Sequence, residues 1–456
     1  MITRINLSIA IFFSLFLINT SFAQEGPSSR LEIEEIIVTG TKRDIGQQDA
    51  AIAVSAITEQ AFANQNANDP RAIASLVPNV TLTLQPAFNA VAGGIRGTGS
   101  ISILVTEDPS VAFLVDDFGL NHVQSQFIEM FDIEQIEVYR GPQGTLFGKN
   151  ATGGVISVTT KKPVLDEWSG EFSAMAGQYD WNEGSINKFK LALNAPIVEG
   201  KVAMRIAAIW DKSQGFYTNS KPAGDFPGPI VLNPAAAWPD DGTSLSNVGD
   251  GGDLGGKDVL AAKVKLLFEP NANYSGHLIF EISKDDSGAP PTVNETDCPG
   301  GQLFCLLGFP GIHTPSPNWG GEKWSNPYAT GESFHCNSVI AICKGHRMDS
   351  KGVYFNQTFA IGDNYTLKSI TGYRNHEERN ASTYTGEAFA SLYDASRNTE
   401  RDQMQQEFRL TSEYDGPFNF TAGLSYAEDN LNFAAYAAVG LQWFLGVPGW
   451  IHTDYS

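Results

Sequence analysis

Two pairs of cysteines are the side chains in this sequence with the clearest capacity for chemistry. They lie in one hydrophilic region with equal spacing inside each pair: Cys298 and Cys305, then Cys336 and Cys343. In an oxidising compartment this arrangement favours two disulfides, although four cysteines allow three connectivities. We expect the local pairings, Cys298–Cys305 and Cys336–Cys343. His335 and His346 flank the second pair, so a zinc site is the alternative, which the lack of a Cys-x-x-Cys spacing disfavours.

Enzymatic motifs are missing from the sequence. The segment Gly144–Lys149 approaches the spacing of a phosphate-binding loop, but it is one residue too short, and Asn150 stands where such a loop needs Ser or Thr. No His-Glu-x-x-His or Gly-x-Ser-x-Gly motif occurs, and the seven histidines are scattered. We therefore expect no catalytic residues, no cofactor, no metal centre and no enzyme.

The first residues indicate export. Arg4 precedes an apolar run from Ile9 to Ile18, and Ser21-Phe22-Ala23 then supplies small residues where a signal peptidase cleaves, so residues 1–23 are predicted to be a signal peptide. No later segment has 18 uninterrupted apolar residues, so insertion into a membrane requires a β-barrel. The formal net charge of −21 would repel phosphates, which argues against a nucleic-acid partner.

A short β-prone segment, Leu31 to Gly40, lies within a polar N-terminal region, residues 24–44, which we expect to be disordered. Such a segment, tethered by loose chain, can add as a strand to the sheet edge of another protein. It can equally be the first strand of the following domain. The residues alone do not separate these two interpretations.

Residues 45–163 are predicted to form one compact α+β domain. Ile57–Ala63 and Pro70–Leu76 have the character of short helices, the second with Asp69 as its N-cap. Short strands follow, predicted over residues 80–84, 111–115, 133–139 and 154–160. Glycine- and aspartate-rich turns separate them, among them Arg96-Gly97-Thr98-Gly99 and Asp116-Asp117.

After Pro163 the sequence alternates apolar and polar residues in segments of about ten residues, as half-buried strands do. Phe189, Leu191 and Leu193, for example, share one face. Nine strands are predicted, near residues 168–178, 186–195, 201–211, 259–269, 273–284, 351–361, 364–375, 402–413 and 418–428. Short turns alternate with long polar segments at 213–257, 285–350 and 376–401.

This alternation of link lengths is typical of a transmembrane β-barrel with short periplasmic turns and long extracellular loops. A soluble sandwich would have turn signals every 8–12 residues instead. We therefore assign residues 164–456 to an antiparallel transmembrane barrel. Since the stretch from Leu445 to Ser456 looks like a loop, and an open sheet edge is not tolerated in lipid, we expect this barrel to be incomplete.

The most informative segment of the sequence runs from Val111 to Pro163. It includes Val111-Ala112-Phe113-Leu114-Val115-Asp116-Asp117 and the run Ile133-Glu134-Gln135-Ile136-Glu137-Val138-Tyr139-Arg140-Gly141-Pro142, which continues through Gly153-Gly154. This block, with Ile95-Arg96-Gly97, resembles the plug domain of TonB-dependent outer-membrane receptors of the siderophore type. Two residues depart from the family pattern: Asp117 stands where Gly is usual, and Ala51 where Pro is common.

The resemblance implies a plug inside a barrel of roughly twenty-two strands, of which about nine are present here. It also places Glu34–Gly40 at the TonB box, which favours the partner-binding interpretation of that segment. The residues implied to bind TonB are Glu35, Ile36, Ile37, Val38 and Thr39. The plug motif comprises Arg96, Gly97, Asp116, Glu137, Arg140, Gly141, Gly153 and Gly154. We expect Glu407 and Arg409, on the polar face of a barrel strand, to be wall partners of the plug, whose Glu137 and Arg140 lie near its end. Unrelated surface ion pairs are the alternative.

The function implied by the resemblance is active import across the outer membrane of a Gram-negative bacterium. TonB and its inner-membrane complex would supply the energy, and the imported substrate would be an iron complex such as a ferric siderophore. Relatives of this type also take up carbohydrates, cobalamin and other nutrients. The long loops carry aromatic residues that suit either a siderophore or a glycan: Trp238, Phe304, Phe309, Trp319, Trp324 and Phe334. A passive porin is the alternative of a different class.

Overall fold

The structure is a computed structural model. It describes residues 37–39, 42–43, 45–65, 69–85, 90–100, 105–126, 128–180, 184–215, 217–218, 253–287, 335–336, 343–344, 346–383, 393–416, 418–439 and 450–455. All of them belong to one compact unit, Ile37–Ser456. The predicted signal peptide, Glu35, Ile36, Cys298, Cys305 and the six loop aromatics lie outside these ranges. Within the ranges, no helix is long and apolar enough to cross a membrane.

The first described element is a short strand, β1 (Ile37–Val38), which pairs antiparallel with β2 (Ile45–Gly46). Five further strands form the plug sheet: β3 (Val54–Thr58), β7 (Val111–Val115), β8 (Phe118–Leu120), β9 (Ile133–Arg140) and β10 (Gly154–Thr160). Their order is β3-β9-β10-β7-β8, with β10 and β7 parallel and the other pairs antiparallel. Strands β4 (Val80–Gln85), β5 (Ala90–Ile95) and β6 (Thr98–Ser100) form a separate small sheet.

Among the described residues, three short helices accompany these sheets: α1 (Glu59–Ala63), α2 (Arg71–Leu76) and α3 (Gly144–Phe147). Two details correct the sequence prediction. Helix α1 begins at Glu59, because Ile57 and Thr58 pair with β9 as the end of β3. Pro70 is the N-cap of α2, and Asp69 stabilises that end instead by accepting a hydrogen bond from the Arg71 amide at 3.0 Å.

The apolar core of the plug lies along β9 and β10. Ile136, Val138 and Ile156 are fully buried, and Ile73 of α2 and Ile95 of β5 join them. At about 1.5–3 kcal/mol for each large aliphatic side chain removed from water, this cluster gives the plug a core of its own. Ile279 and Tyr354 also belong to the cluster, although they lie on the sheet that faces the plug.

That sheet, called the wall here, has ten antiparallel strands in sequence order: β11 (Ser169–Gln178), β12 (Ser185–Val198), β13 (Val202–Ser213), β16 (Lys257–Asn271), β17 (Tyr274–Asp285), β20 (His346–Ile361), β21 (Tyr365–Thr383), β22 (Tyr393–Ser412), β23 (Thr421–Val439) and β24 (Trp450–Tyr455). Nine of them coincide with the nine predicted strands. The predicted alternation also holds: along β13, Arg205 and Asp211 are buried toward the plug, while Trp210 is exposed on the outer face.

Two predicted loops contain strands instead. Residues 376–383 and 393–401, expected to be loop, continue β21 and β22 in register. Their inward face is polar, with His376 and Glu378 buried there, so the apolar alternation used to recognise strands is absent. The segment expected to be a loop after Leu445 contains β24, whose Trp450 pairs with Ala438. Short pairs also lie in the other long segments: β14 (Tyr217–Thr218) with β15 (Asp253–Leu254), and β18 (His335–Cys336) with β19 (Cys343–Lys344).

Candidate functional site

The predicted partner-binding strand is docked on the plug. The Thr39 amide donates to Glu137 Oε1 at 2.9 Å, and the Thr39 hydroxyl donates to Oε2 of the same carboxylate at 2.8 Å. Gln135 Nε2 donates to the Ile37 carbonyl at 2.9 Å. Val38 between them is fully buried, whereas Ile37 is 44% exposed. The three residues are therefore held by side chains of β9, with one apolar side chain presented to solvent.

The Glu137 carboxylate is itself almost fully buried. Besides Thr39 it accepts hydrogen bonds from Gln135 Nε2 at 2.8 Å and from the Tyr139 hydroxyl. Burial and the adjacent Glu137 charge raise the pKa of Tyr139, so its hydroxyl stays protonated and available as a donor. A buried carboxylate with this many donors is satisfied only while Thr39 stays in place, because removing a donor leaves part of its charge unpaired.

The residues just after the strand bind to both the plug and the wall. The Lys42 ammonium lies 4.3 Å from the centre of the Phe147 ring of α3, within cation–π range. The Arg43 guanidinium donates to the Phe420 carbonyl at 2.7 Å and to Thr421 Oγ1 at 3.3 Å, at the start of β23. A force applied at residues 37–39 would therefore act on contacts with both the plug and the wall.

The plug-motif residues mostly shape turns. Arg96 and Gly97, with φ of 53° and 76°, form the two-residue turn between β5 and β6. Asp116 and Asp117, with φ of 50° and 70°, form the corresponding turn between β7 and β8. Aspartate is among the non-glycine residues that tolerate this left-handed region, so the departure from Gly at 117 leaves the turn intact. The Asp116 carboxylate also accepts from the Thr160 amide at 2.8 Å and from its hydroxyl at 2.6 Å.

The motif glycines allow close backbone packing beside this turn. A Cβ at Gly154 would meet the Tyr139 carbonyl and lie 2.7 Å from Ile95 Cδ1. The Gly153 amide donates to the Ser110 carbonyl at 2.8 Å, and the Gly153 carbonyl accepts from the Gly141 amide at 3.0 Å. The remaining motif residue is Arg140, whose backbone amide donates to the Ala53 carbonyl at 2.9 Å. The Nε atom of the Arg140 side chain is buried without a hydrogen-bond partner among the described residues.

The main ionic contact between plug and wall, called the Asp132 node here, was not predicted from the sequence. Asp132 precedes β9 and accepts from Arg205 of β13, with Nε 3.0 Å from Oδ2. Lys265 of β16, fully buried, lies 3.4 Å from Asp132 and donates at 2.6 Å both to Thr160 Oγ1 and to the Lys161 carbonyl. The sequence signal was present but incomplete: Arg205 and Lys265 occupy polar-face positions in otherwise apolar strands, and nothing local identifies their partner.

Three polar side chains of the wall bind backbone groups of the plug further along. Gln405 accepts from the Gly119 amide at 3.0 Å and donates to the Asp117 carbonyl at 3.2 Å. Asn356 Nδ2 donates to the Asp116 carbonyl at 3.0 Å. Arg401 donates to the Val105 carbonyl at 3.1 Å while its guanidinium also pairs with Asp429. Hydrogen bonds of this kind fix the position of the plug without a continuous apolar interface.

The two predicted wall partners of the plug, Glu407 and Arg409, pair with each other on the wall. Arg409 Nε donates to Glu407 Oε1 at 2.9 Å along the same face of β22. Residues two apart on one strand face are close enough to pair with each other. The role of Glu407 and Arg409 as wall partners of the plug stays a prediction. Glu137 instead holds the N-terminal strand.

A further buried acid lies beside this interface. Burial raises the pKa of Glu129 from 4.5 to about 7. Lys257 of the wall, 3.6 Å away, opposes that shift only in part.

Only one of the two predicted disulfides involves residues that the structure describes. Cys298 and Cys305 lie outside the described residues. Cys336 and Cys343 are directly opposite each other in the β18–β19 pair, which is the register that a local disulfide requires. The pairing remains a prediction.

Comparisons with known proteins agree with this geometry. The family described as TonB-dependent Receptor Plug Domain matches residues 46–155. The chain is 27% identical over 203 residues to the "Probable TonB-dependent siderophore receptor PirA" of Acinetobacter baumannii, covering 42% of this chain and 26% of that protein. It is 27% identical over 227 residues to the "Ferric enterobactin receptor" of Pseudomonas aeruginosa, covering 45% of this chain and 30% of that protein.

Solved structures share the fold. The ferric yersiniabactin uptake receptor FyuA of Yersinia pestis superposes with a TM-score of 0.61 at 15% identity, covering 86% of this chain and 50% of that one. FpvA of P. aeruginosa bound to heterologous pyoverdines gives a TM-score of 0.59 at 11% identity, over 88% of this chain and 45% of that one. The chain thus spans about half the length of these receptors, and the matched part covers under a third of the two curated relatives.

Proposed function

We propose that this chain, a TonB-dependent receptor of the outer membrane by its plug domain and its fold, serves the active import of an iron complex with energy delivered through TonB. The plug closes the pore, and TonB pulls on residues 35–39 from the periplasm. The process makes and breaks no covalent bond, so no catalytic residue is needed.

The observation that carries the proposal is the docked strand at residues 37–39. Its backbone is held by two side chains of β9 and by a two-residue pairing with β2, rather than by a central place in the plug sheet. A segment held in this way can be exchanged for pairing with the edge of another sheet at the cost of a few hydrogen bonds. A passive pore has no use for such a segment, which supports energised import over the porin alternative.

The iron cargo is supported by the relatives. The two curated proteins described above are named as a probable siderophore receptor and a ferric enterobactin receptor. Of the two solved proteins, one is named as a ferric yersiniabactin uptake receptor, and the other is described as bound to heterologous pyoverdines. Carbohydrate or another nutrient remains the alternative cargo, because the aromatic loop residues that would distinguish them lie outside the described residues.

The test separates energised import from passive entry and iron from glycan. Cells that depend on the receptor gene are supplied with a labelled ferric chelate or with a labelled oligosaccharide. Deletion of residues 34–40 should abolish uptake of the ferric chelate while leaving the barrel assembled. Ile37→Pro should act in the same way because proline cannot donate in a strand pair, whereas Ile37→Val should leave uptake intact.

Uptake that survives both the deletion and Ile37→Pro would overturn energised import. Uptake of the oligosaccharide but not of the ferric chelate would leave energised import standing and overturn the iron assignment.

A further inference from the structure

One row of wall residues leaves a gap opposite the β7–β8 hairpin of the plug. Ile279, Tyr354, Gly372 and Gln405 are directly opposite one another on the neighbouring strands β17, β20, β21 and β22. Ile279 and Tyr354 are buried against the plug, and Gln405 bonds to the backbone of the hairpin. Because Gly372 has no side chain, the row has a gap between Tyr354 and Gln405, which we call the Gly372 notch.

The ring of Phe118 occupies this notch. Phe118 begins β8, directly after the turn at Asp116 and Asp117, and it is 2% exposed. A Cβ atom added at Gly372 would lie 2.7 Å from Phe118 Cε2 and 2.9 Å from Tyr354 Cδ1. Carbon atoms that touch without a bond are about 3.5–4.0 Å apart, so any side chain at position 372 must displace one of the two rings.

Tyr354 forms the floor beneath Phe118. The two ring centres are 4.7 Å apart at an interplanar angle of 52°, which is a favourable arrangement for an aromatic pair. The Tyr354 ring also lies across Gly352, where an added Cβ atom would be 2.6 Å from Tyr354 Cζ. The Tyr354 hydroxyl donates to Glu281 Oε1 at 2.8 Å. Tyr354 is thus held along its length and gives Phe118 a fixed surface to pack against.

At this notch the main apolar core of the plug continues into the wall. Within the described residues, Ile279 and Tyr354 are the wall members of that core. Asn356 and Gln405 hold the backbone of the hairpin through hydrogen bonds. Such bonds form over donor–acceptor distances of about 2.7–3.2 Å, whereas a ring packed at the density of a protein interior has no space in which to shift. The fit of the ring therefore defines the position of the hairpin more narrowly than the hydrogen bonds do.

We propose that Phe118 is the positioning residue of pore closure. Its ring in the Gly372 notch sets the depth and the rotation of the plug within the wall, while the Asp132 node and the hydrogen bonds hold the plug once it is placed. The inference rests on the proposed function in one respect, since it takes the plug to close a pore. When the ring does not fit, the hairpin moves away from the wall and leaves a gap through which polar solutes enter without energy.

The test measures passive entry in cells whose receptor lacks residues 34–40, so that energised import does not contribute. The probe is a fluorescently labelled glycopeptide antibiotic, a large polar molecule that an intact outer membrane excludes. Gly372→Leu displaces the Phe118 ring, and Phe118→Ala removes it. Each variant should raise entry of the probe by at least about tenfold over the parent, because each loses the packing of a buried aromatic side chain.

Moving the bulky group from the plug to the wall tests the fit itself. The double variant Phe118→Ala with Gly372→Leu keeps the total side-chain volume nearly constant, so entry should return to within about twofold of the parent. Loss of a merely structural residue would not be rescued by enlarging its neighbour.

Gly276→Leu is the matched control. Gly276 is another wall glycine with a tyrosine, Tyr274, lying over it, but it is on the outer face with the exposed Phe280. The Tyr274 ring can turn away there without touching the plug. This variant should admit no more probe than the parent.

Hydrogen exchange in the purified proteins gives a second measurement. Exchange of the amides of residues 115–120 should rise in both single variants and return in the double variant. Phe118→Ala changes no wall residue, so it keeps the test decisive if Gly372→Leu does not fold.

The proposal is overturned if Phe118→Ala admits no more probe than Gly276→Leu, or if the double variant admits as much as the single variants. A parent that already admits the probe after deletion of residues 34–40 would instead overturn the proposed closure of the pore, on which the inference rests.

Discussion

Glu137 is the residue on which docking of the N-terminal strand depends most directly. It is the only described carboxylate that accepts hydrogen bonds from residues 37–39, and it takes both the amide and the hydroxyl of Thr39. Hydrogen bonds to a charged group contribute about 1.5–3 kcal/mol each, and the carboxylate is shielded from water. The strand therefore stays docked until another interaction of comparable strength replaces this one.

Replacement of Glu137 should release the strand. Because two hydrogen bonds from Thr39 to a charged group are lost, we expect Glu137→Ala to weaken docking by at least about 3 kcal/mol, or more than about a hundredfold in the population of the released state. A cysteine at position 38, which is buried in the docked strand, should then react correspondingly faster with a water-soluble maleimide. Glu134→Ala is the control, since Glu134 is an exposed neighbour on the same strand and should leave the rate unchanged. Equal rates in the two variants would show that Glu137 does not hold the strand.

The sequence identified the residues involved in docking better than it identified which residues contact each other. Thr39 and Glu137 were both singled out, but their contact with each other, across 98 residues, was not predicted. Side-chain partners depend on which strands become neighbours, and one sequence does not encode that pairing locally. Turn chemistry is local, which is why the glycine- and aspartate-rich turns near residues 97 and 116 were predicted correctly.

Among the elements, β9, β13 and β16 define how the plug sits against the wall. Asp132 precedes β9, while Arg205 and Lys265, which are directly opposite in the β13–β16 pair, approach it from the wall. All three charged groups are nearly inaccessible to solvent. Breaking one partner of such a buried set is costly because the others remain charged without compensation.

Neutralising Asp132 should therefore loosen the plug. We expect Asp132→Asn to destabilise the seating of the plug by about 3–5 kcal/mol and to raise amide hydrogen exchange in β9 and β10. Glu59→Gln provides the comparison, because the Glu59–Lys161 ion pair is partly exposed and should contribute under about 1 kcal/mol. Similar exchange in both variants would mean that the Asp132 node does not anchor the plug.

Strands were predictable where one face is apolar and the other polar. That pattern marks the parts of the wall with an exposed apolar face, such as Phe189 and Leu193 of β12. It fails along residues 376–380, where the buried side chains are themselves polar and the strand continues only because its backbone pairs with β22. The pairing register of this part of the wall therefore lay beyond prediction from the sequence.

For the molecule as a whole, the wall has opposite chemistry on its two faces. Toward the plug it presents buried charged and amide groups, such as Asn194, Arg205 and Lys265. On the other face it exposes large apolar side chains along successive strands: Phe172, Leu191, Leu193, Trp210, Leu260, Phe280 and Val353. A soluble protein would not leave so extensive an apolar surface in water, whereas lipid covers it without cost.

The lipid-facing role of the outer face can be tested with adjacent residues of β12. Leu191 is 39% exposed on the outer face, and Lys190 occupies the opposite face. We expect Leu191→Lys to lower the free energy of folding into lipid vesicles by up to about 4 kcal/mol, since a charge would enter the hydrocarbon, and Lys190→Gln to change it by under about 1 kcal/mol. If Leu191→Lys folds into vesicles as readily as Lys190→Gln, the outer face does not contact lipid. The plug would then close no membrane pore.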